Sequence, residues 1–202
     1  MRDTRTDWIQ TYTGVHFRPF DPAPEDVRLE DIAHALATKN RWTGHAREPI
    51  SIAEHSLRVA WRLAEVGCSP STQMAGLLHD AGEAYLPDVA SPVKGLIRVT
   101  RAGGLGDIGF AEAEVDLLFC IYRGLGLPWL CPEVLSMVKL ADLELLVTEA
   151  RDLMHGTDEW PCEVATPLRG EIIPMDWHEA ESTFLYHFNR VLIGCKREAA
   201  GE

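Results

Sequence analysis

The stretch that decides the fold is GLLHDAGEAYL, residues 76–86. Leu77 and Leu78 lead an apolar helical run into His79 and Asp80, and Glu83 follows one turn beyond His79. A buried imidazole or carboxylate costs free energy unless it is hydrogen-bonded, charge-paired or bound to metal. The rest of the chain must therefore supply partners. His79 and Asp80 leave a helix about 100° apart, so they converge only on something held between two facing directions. An ion between packed helices meets that requirement.

Outward from this stretch the pattern is helical. Apolar residues at helical spacing (Leu29, Ile32, Ala33, Leu36, Ala37) predict a helix over 28–39. Ser51 and Glu54 form a capping box that opens the next helix, which runs until Gly67. The 70–85 helix carries the quoted stretch and stops at Pro87. Further helices are expected over 108–123, from Pro132 to about Met154, and over 177–194. Strand-like alternation is confined to a short pair around 162–174. Residues 1–24, with Gly14, Pro19, Pro22 and Pro24, read as an extended arm that wraps the surface. The expectation is a single all-α helical domain over 25–197 with its site between core helices.

Two further helices offer companions to His79 and Asp80. His55 sits in the first turn after the Ser51 cap, and Asp142 lies between Leu140 and Leu143 in SMVKLADLELL. Each is polar on an otherwise apolar segment. Two imidazoles and two carboxylates from three helices make a divalent-metal site. Taken singly, Asp142 reads equally as a helix-surface residue and His55 as a partner of the helix end. Their conjunction with His79 and Asp80, each on a predicted core helix, favours the metal.

With these residues in place the chain resembles the HD-domain phosphohydrolases, whose metal site is H…HD…D on an all-helical core. It is most similar to the bacterial 5'-deoxynucleotidases of that superfamily. The segments that carry the likeness are NRW (40–42), AEHSLRVA (53–60), LHDAGEAYLPDVASPVK (78–94) and KLAD (139–142). The resemblance implies one divalent ion (Zn, Mn, Co, Ni or Fe) on His55, His79, Asp80 and Asp142. It implies hydrolysis of phosphate from a 2'-deoxynucleoside 5'-monophosphate. A deoxynucleoside triphosphate triphosphohydrolase, including the dATP-specific phage type, would use the same site. A metal-binding regulatory domain without turnover is the reading from a different class.

Other roles follow from the same resemblance. Glu83, four residues after His79, would share its helix face and act as general base or acid; the plainer reading is a hydrogen-bond partner of His55 or His79. Asp88 would assist proton transfer or hold water, or simply cap a turn. Arg41 and Lys94 would contact phosphate, unless they are solvated surface cations. Trp42 would pack on the sugar and disfavour a 2'-hydroxyl, or fill the core. Gly44-His45 departs from the deoxynucleotidase pattern, and His45 is assigned to substrate contact on position alone. No histidine occurs between 79 and 155. The dinuclear phosphodiesterases place two there, which argues for one metal.

Composition bounds the rest. The chain has 202 residues, 46% of them hydrophobic, and a net charge of -12, which disfavours binding to a nucleic-acid polymer. An anionic substrate then needs local Lys or Arg to overcome the global repulsion. Five cysteines are scattered without a CxxC pair, and most read as reduced core thiols. No apolar run is long enough to span a membrane and the first ten residues are too polar for a secretory signal, so a cytoplasmic protein is expected. Gly104 to Gly109 fits GxGxxG, but no preceding strand is predicted, so it reads as a flexible loop. His16, His34, His155, His178 and His187 read as surface or satisfied histidines, and Met74, Met137 and Met154 as core. Phe184, Leu185, Phe188, Val191 and Leu192 of the last helix pack on the core, with a homodimer face as the alternative.

Overall fold

The computed structural model describes residues 7–100, 106–156 and 165–201. It is mostly helical. Among the described residues the helices are α1 (Leu29–Thr38), α2 (Ile52–Glu65), α3 (Pro70–Leu78), α4 (Ser91–Lys94), α5 (Phe110–Gly124), α6 (Pro132–Leu153) and α7 (Trp177–Ala200). Two small antiparallel hairpins accompany them: β1 (Ile9–Gln10) pairs with β2 (His16–Phe17), and β3 (Arg98–Thr100) with β4 (Asp107–Gly109). The chain divides into two compact units, Met1–Ala35 with Ala81–Trp129, and Leu36–Asp80 with Leu130–Glu202.

In the first unit the N-terminal arm is anchored rather than merely laid on the surface. Phe17 is fully buried and stacks on Tyr85 with ring centroids 3.8 Å apart. Asp31 at the start of α1 accepts from both the amide and the hydroxyl of Thr13, at 2.6 and 2.9 Å. Residues 107–109, expected as loop, form β4, and α5 starts at Phe110 rather than residue 108. Gly104 lies outside the described residues.

The second unit packs α2, α3, α6 and α7 together. Ile50, Val59, Leu63, Ala75, Val138, Ala141, Leu145, Leu153 and Ile172 form its apolar cluster. The Ser51 hydroxyl accepts from the Glu54 amide, as the capping box requires. The reciprocal half is not made, because the Glu54 carboxylate instead takes Arg58 at 2.6 Å and the Met175 amide at 2.8 Å. At Gly76 a Cβ would lie 2.5 Å from Leu63 Cδ1, so the glycine sets how closely α3 lies on α2.

Two helix ends differ from expectation. The α-helix carrying the quoted stretch ends at Leu78, and Ala81–Ala84 is a 3-10 turn. His79 Nδ1 donates to the Gly76 carbonyl at 2.7 Å, the acceptor that the Asp80 amide would take in a continuing α-helix. Helix α7 runs six residues past Gly194. A Cβ there would lie 2.9 Å from Pro70 Cβ, so this glycine is a packing residue and not a stop. The chain ends α7 instead at Gly201, with φ 76°. No strand occurs over the described residues 165–174; residues 162–164 lie outside them. Met137 is exposed rather than core.

Candidate metal centre

The four expected ligands come together within the second unit. His55 projects from the first turn of α2, His79 is the C-cap of α3, Asp80 follows it, and Asp142 lies on α6. One ligand atom each from His55, His79 and Asp80 lies within 4.8 Å of the others. His55 Nε2 is 3.3 Å from His79 Nε2, 3.9 Å from Asp80 Oδ2 and 3.3 Å from Asp142 Oδ1. His79 Nε2 lies 3.2 Å from Asp80 Oδ2. Asp142 thus joins the cluster through His55, while its second oxygen accepts from Lys139 at 2.8 Å.

The far nitrogens of both rings are engaged. His55 Nδ1 lies 2.6 Å from Glu149 Oε1 and His79 Nδ1 donates to the Gly76 carbonyl. With each Nδ1 as the protonated nitrogen, a tautomer assigned from these contacts, both Nε2 lone pairs face the carboxylates. Two lone pairs and two carboxylates held this closely favour positive charge between them, which a ring proton on His79 or a bound cation supplies. Burial disfavours a charged His79 ring, but Asp80 and Asp142 outweigh it and the group is pushed up to about 9. Burial likewise opposes ionised Asp80 and Asp142, yet the two histidines hold both carboxyls well below the usual range. The donor set therefore fits a divalent cation: two imidazoles with anchored Nδ1 atoms and two ionised carboxylates.

Glu149 is the site residue that the sequence reading missed. It is fully buried on α6, seven residues after Asp142 and hence on the same helix face. That spacing was its only signal in the sequence. Besides His55, it accepts from Arg41 Nε at 2.9 Å. Burial pushes its carboxyl up, but Arg41 and His55 prevail and keep it below the usual range.

Arg41 is 14% exposed, with Nη1 3.5 Å from Asp80 Oδ2. Burial works against its charge, while Glu149, Asp80 and Asp142 reinforce it. Its backbone is fixed by a bond from its amide to the Ile50 carbonyl at 2.9 Å, beside the Asn40–Ser51 bridge. Immediately afterwards Trp42 and Thr43 take left-handed conformations, φ 58° and 52°. Each such non-glycine residue costs about 1–2 kcal/mol, and strain of this kind clusters at functional sites. Trp42 is half-buried and packs against the unit's apolar cluster. His45 is exposed and closes the turn through its amide to the Trp42 carbonyl at 2.9 Å.

Glu83, Asp88 and Lys94 belong to the first unit. Glu83 is buried in the 3-10 turn beyond the end of α3, so it and His79 do not share one α-helical face as expected. Asp88 is half-buried beyond Pro87, and the Lys94 ammonium donates to Glu114 at 2.7 Å.

A family model described as HD domain matches residues 52–102. The uncharacterized protein YfdR of Escherichia coli is 31% identical over 187 residues, 90% of this chain and 94% of that protein. An uncharacterized protein of Rhodobacter capsulatus is 33% identical over 151 residues, 72% of each chain. The matched span contains His55, His79 and Asp80.

Proposed function

The chain belongs to the HD domain family, and from that premise we propose that it is a metal-dependent phosphohydrolase releasing phosphate from 2'-deoxynucleoside 5'-monophosphates. The observation behind this is the convergence of His55 Nε2, His79 Nε2 and Asp80 Oδ2, with Asp142 joined to His55, a donor set that fits a divalent cation. His55, His79, Asp80 and Asp142 would hold it. When bound, such an ion polarises a phosphoryl oxygen and makes water a stronger acid.

The chain's own residues account for the other requirements. Glu149 and the Gly76 carbonyl hold the two rings with Nε2 inward. Arg41, ionised beside Asp80, binds the anionic phosphate against a net charge of -12. The deoxynucleotide assignment is supported by the NRW, LHDAGEAYLPDVASPVK and KLAD segments. In it Glu83 handles the proton of the attacking water and Asp88 assists, Lys94 adds a second phosphate contact, Trp42 excludes a 2'-hydroxyl, and His45 touches substrate.

Product analysis of the metal-reconstituted protein with deoxy- and ribonucleoside mono- and triphosphates tests this. Nucleoside and phosphate from the deoxy monophosphates alone is the expected result. Inorganic triphosphate from a deoxynucleoside triphosphate would reassign the substrate, and absence of turnover with every metal would overturn the enzymatic reading.

A further inference from the structure

We propose that Glu149 is a positioning residue that couples the metal centre to the phosphate-binding arginine; this rests on the function proposed above. Its two oxygens serve different partners: Oε1 meets His55 Nδ1 at 2.6 Å and Oε2 accepts from Arg41 Nε at 2.9 Å. The first contact fixes the tautomer that leaves the His55 Nε2 lone pair facing His79 and Asp142. The second holds the Arg41 fork so that Nη1 reaches Asp80 Oδ2, the oxygen that also faces both histidines. The 3.5 Å spacing of that contact is long for a hydrogen bond. A phosphate oxygen can therefore replace it without disturbing the Nε anchor.

Glu149 is 0% exposed, so it cannot reach substrate and acts only through these two neighbours. A carboxylate is the side chain that accepts from both. A glutamine in its place has one oxygen, which serves either the ring or the guanidinium but not both. The predicted consequence is a joint loss of metal affinity and anion affinity, which a merely packing role would not give.

The test uses the full-length metal-free protein and its Glu149→Gln variant, titrated with Co2+ and followed by visible absorption. Inorganic phosphate is then titrated at saturating Co2+. The expected result is a Co2+ affinity lower by about 10- to 100-fold, together with a higher phosphate dissociation constant at full metal occupancy. Unchanged affinities in the variant, with normal Co2+ binding by the wild type, would overturn the proposal. Loss of Co2+ affinity with unaltered phosphate binding would overturn the coupling to Arg41. If Glu149→Gln does not fold, Glu149→Asp, which keeps the charge and shortens the reach, is judged by the same outcomes. A wild-type protein that binds no Co2+ would refute the function on which the inference rests, a result separate from failure of the variant.

Discussion

His55 and His187 are both buried on helices of the same compact unit, 0% and 3% exposed, yet their surroundings differ completely. His55 has Glu149 on one ring nitrogen and His79, Asp80 and Asp142 around the other. His187 on α7 packs edge-on against Trp61, centroids 6.3 Å apart, and its Nε2 has no hydrogen-bond partner. Burial, aided by Arg190, pushes the His187 ring down to about 4. A polar residue in an apolar helix is therefore not by itself a sign of chemistry. What marks a site is convergence of acceptors from separate helices on one point.

The largest effect is expected from removing one of the convergent partners. Asp80→Ala should abolish metal binding and turnover together, read by metal analysis and single-turnover assay; an active, metal-loaded variant would dissolve the contrast with His187. Glu83→Ala should keep its metal and lose roughly 10²- to 10⁴-fold in rate. Retention of full rate would return Glu83 to a structural role. Trp42→Ala should reduce the preference for deoxy- over ribonucleotides by roughly 10- to 100-fold in kcat/KM. If that preference persists while stability falls, Trp42 is only core.

His187→Phe should leave metal affinity and turnover unchanged and alter only the pH dependence of stability. The wild-type ring is neutral when folded and titrates at higher pH when unfolded, so its contribution is present near pH 7. It is lost as pH falls from about 6.5 towards 4. Between pH 7 and 5 the variant should escape a loss of roughly 1–2 kcal/mol, measured by denaturant melts. Equal pH slopes for the two proteins would show that His187 is solvated.

The helices and the clustered His and Asp side chains were legible because their signals are local. The Ser51 cap, the apolar periodicity of α1 and α2, and Pro132 at the start of α6 each act within a turn or two. His55, His79, Asp80 and Asp142 stood out as polar residues on apolar helices, and the structure brings them together. Glu149 did not stand out, because no motif marks it; only the seven-residue step from Asp142 links the two. The end of α3 was missed because it depends on the His79 ring reaching the Gly76 carbonyl, a side-chain competition invisible to periodicity. The overrun of α7 depends on Pro70 packing against Gly194, residues 124 positions apart. Strands of two or three residues such as β1 and β4 are too short to show alternation. His187 was expected to be exposed or satisfied and is neither.

Whether a cation sits at this convergence is decided by anomalous diffraction from crystals of the metal-reconstituted protein at the absorption edge of the added ion. One strong peak is expected within about 2.0–2.2 Å of His55 Nε2, His79 Nε2 and an Asp80 oxygen, with Asp142 completing the set. A peak elsewhere, or none in crystals of protein that turns over substrate, would contradict it.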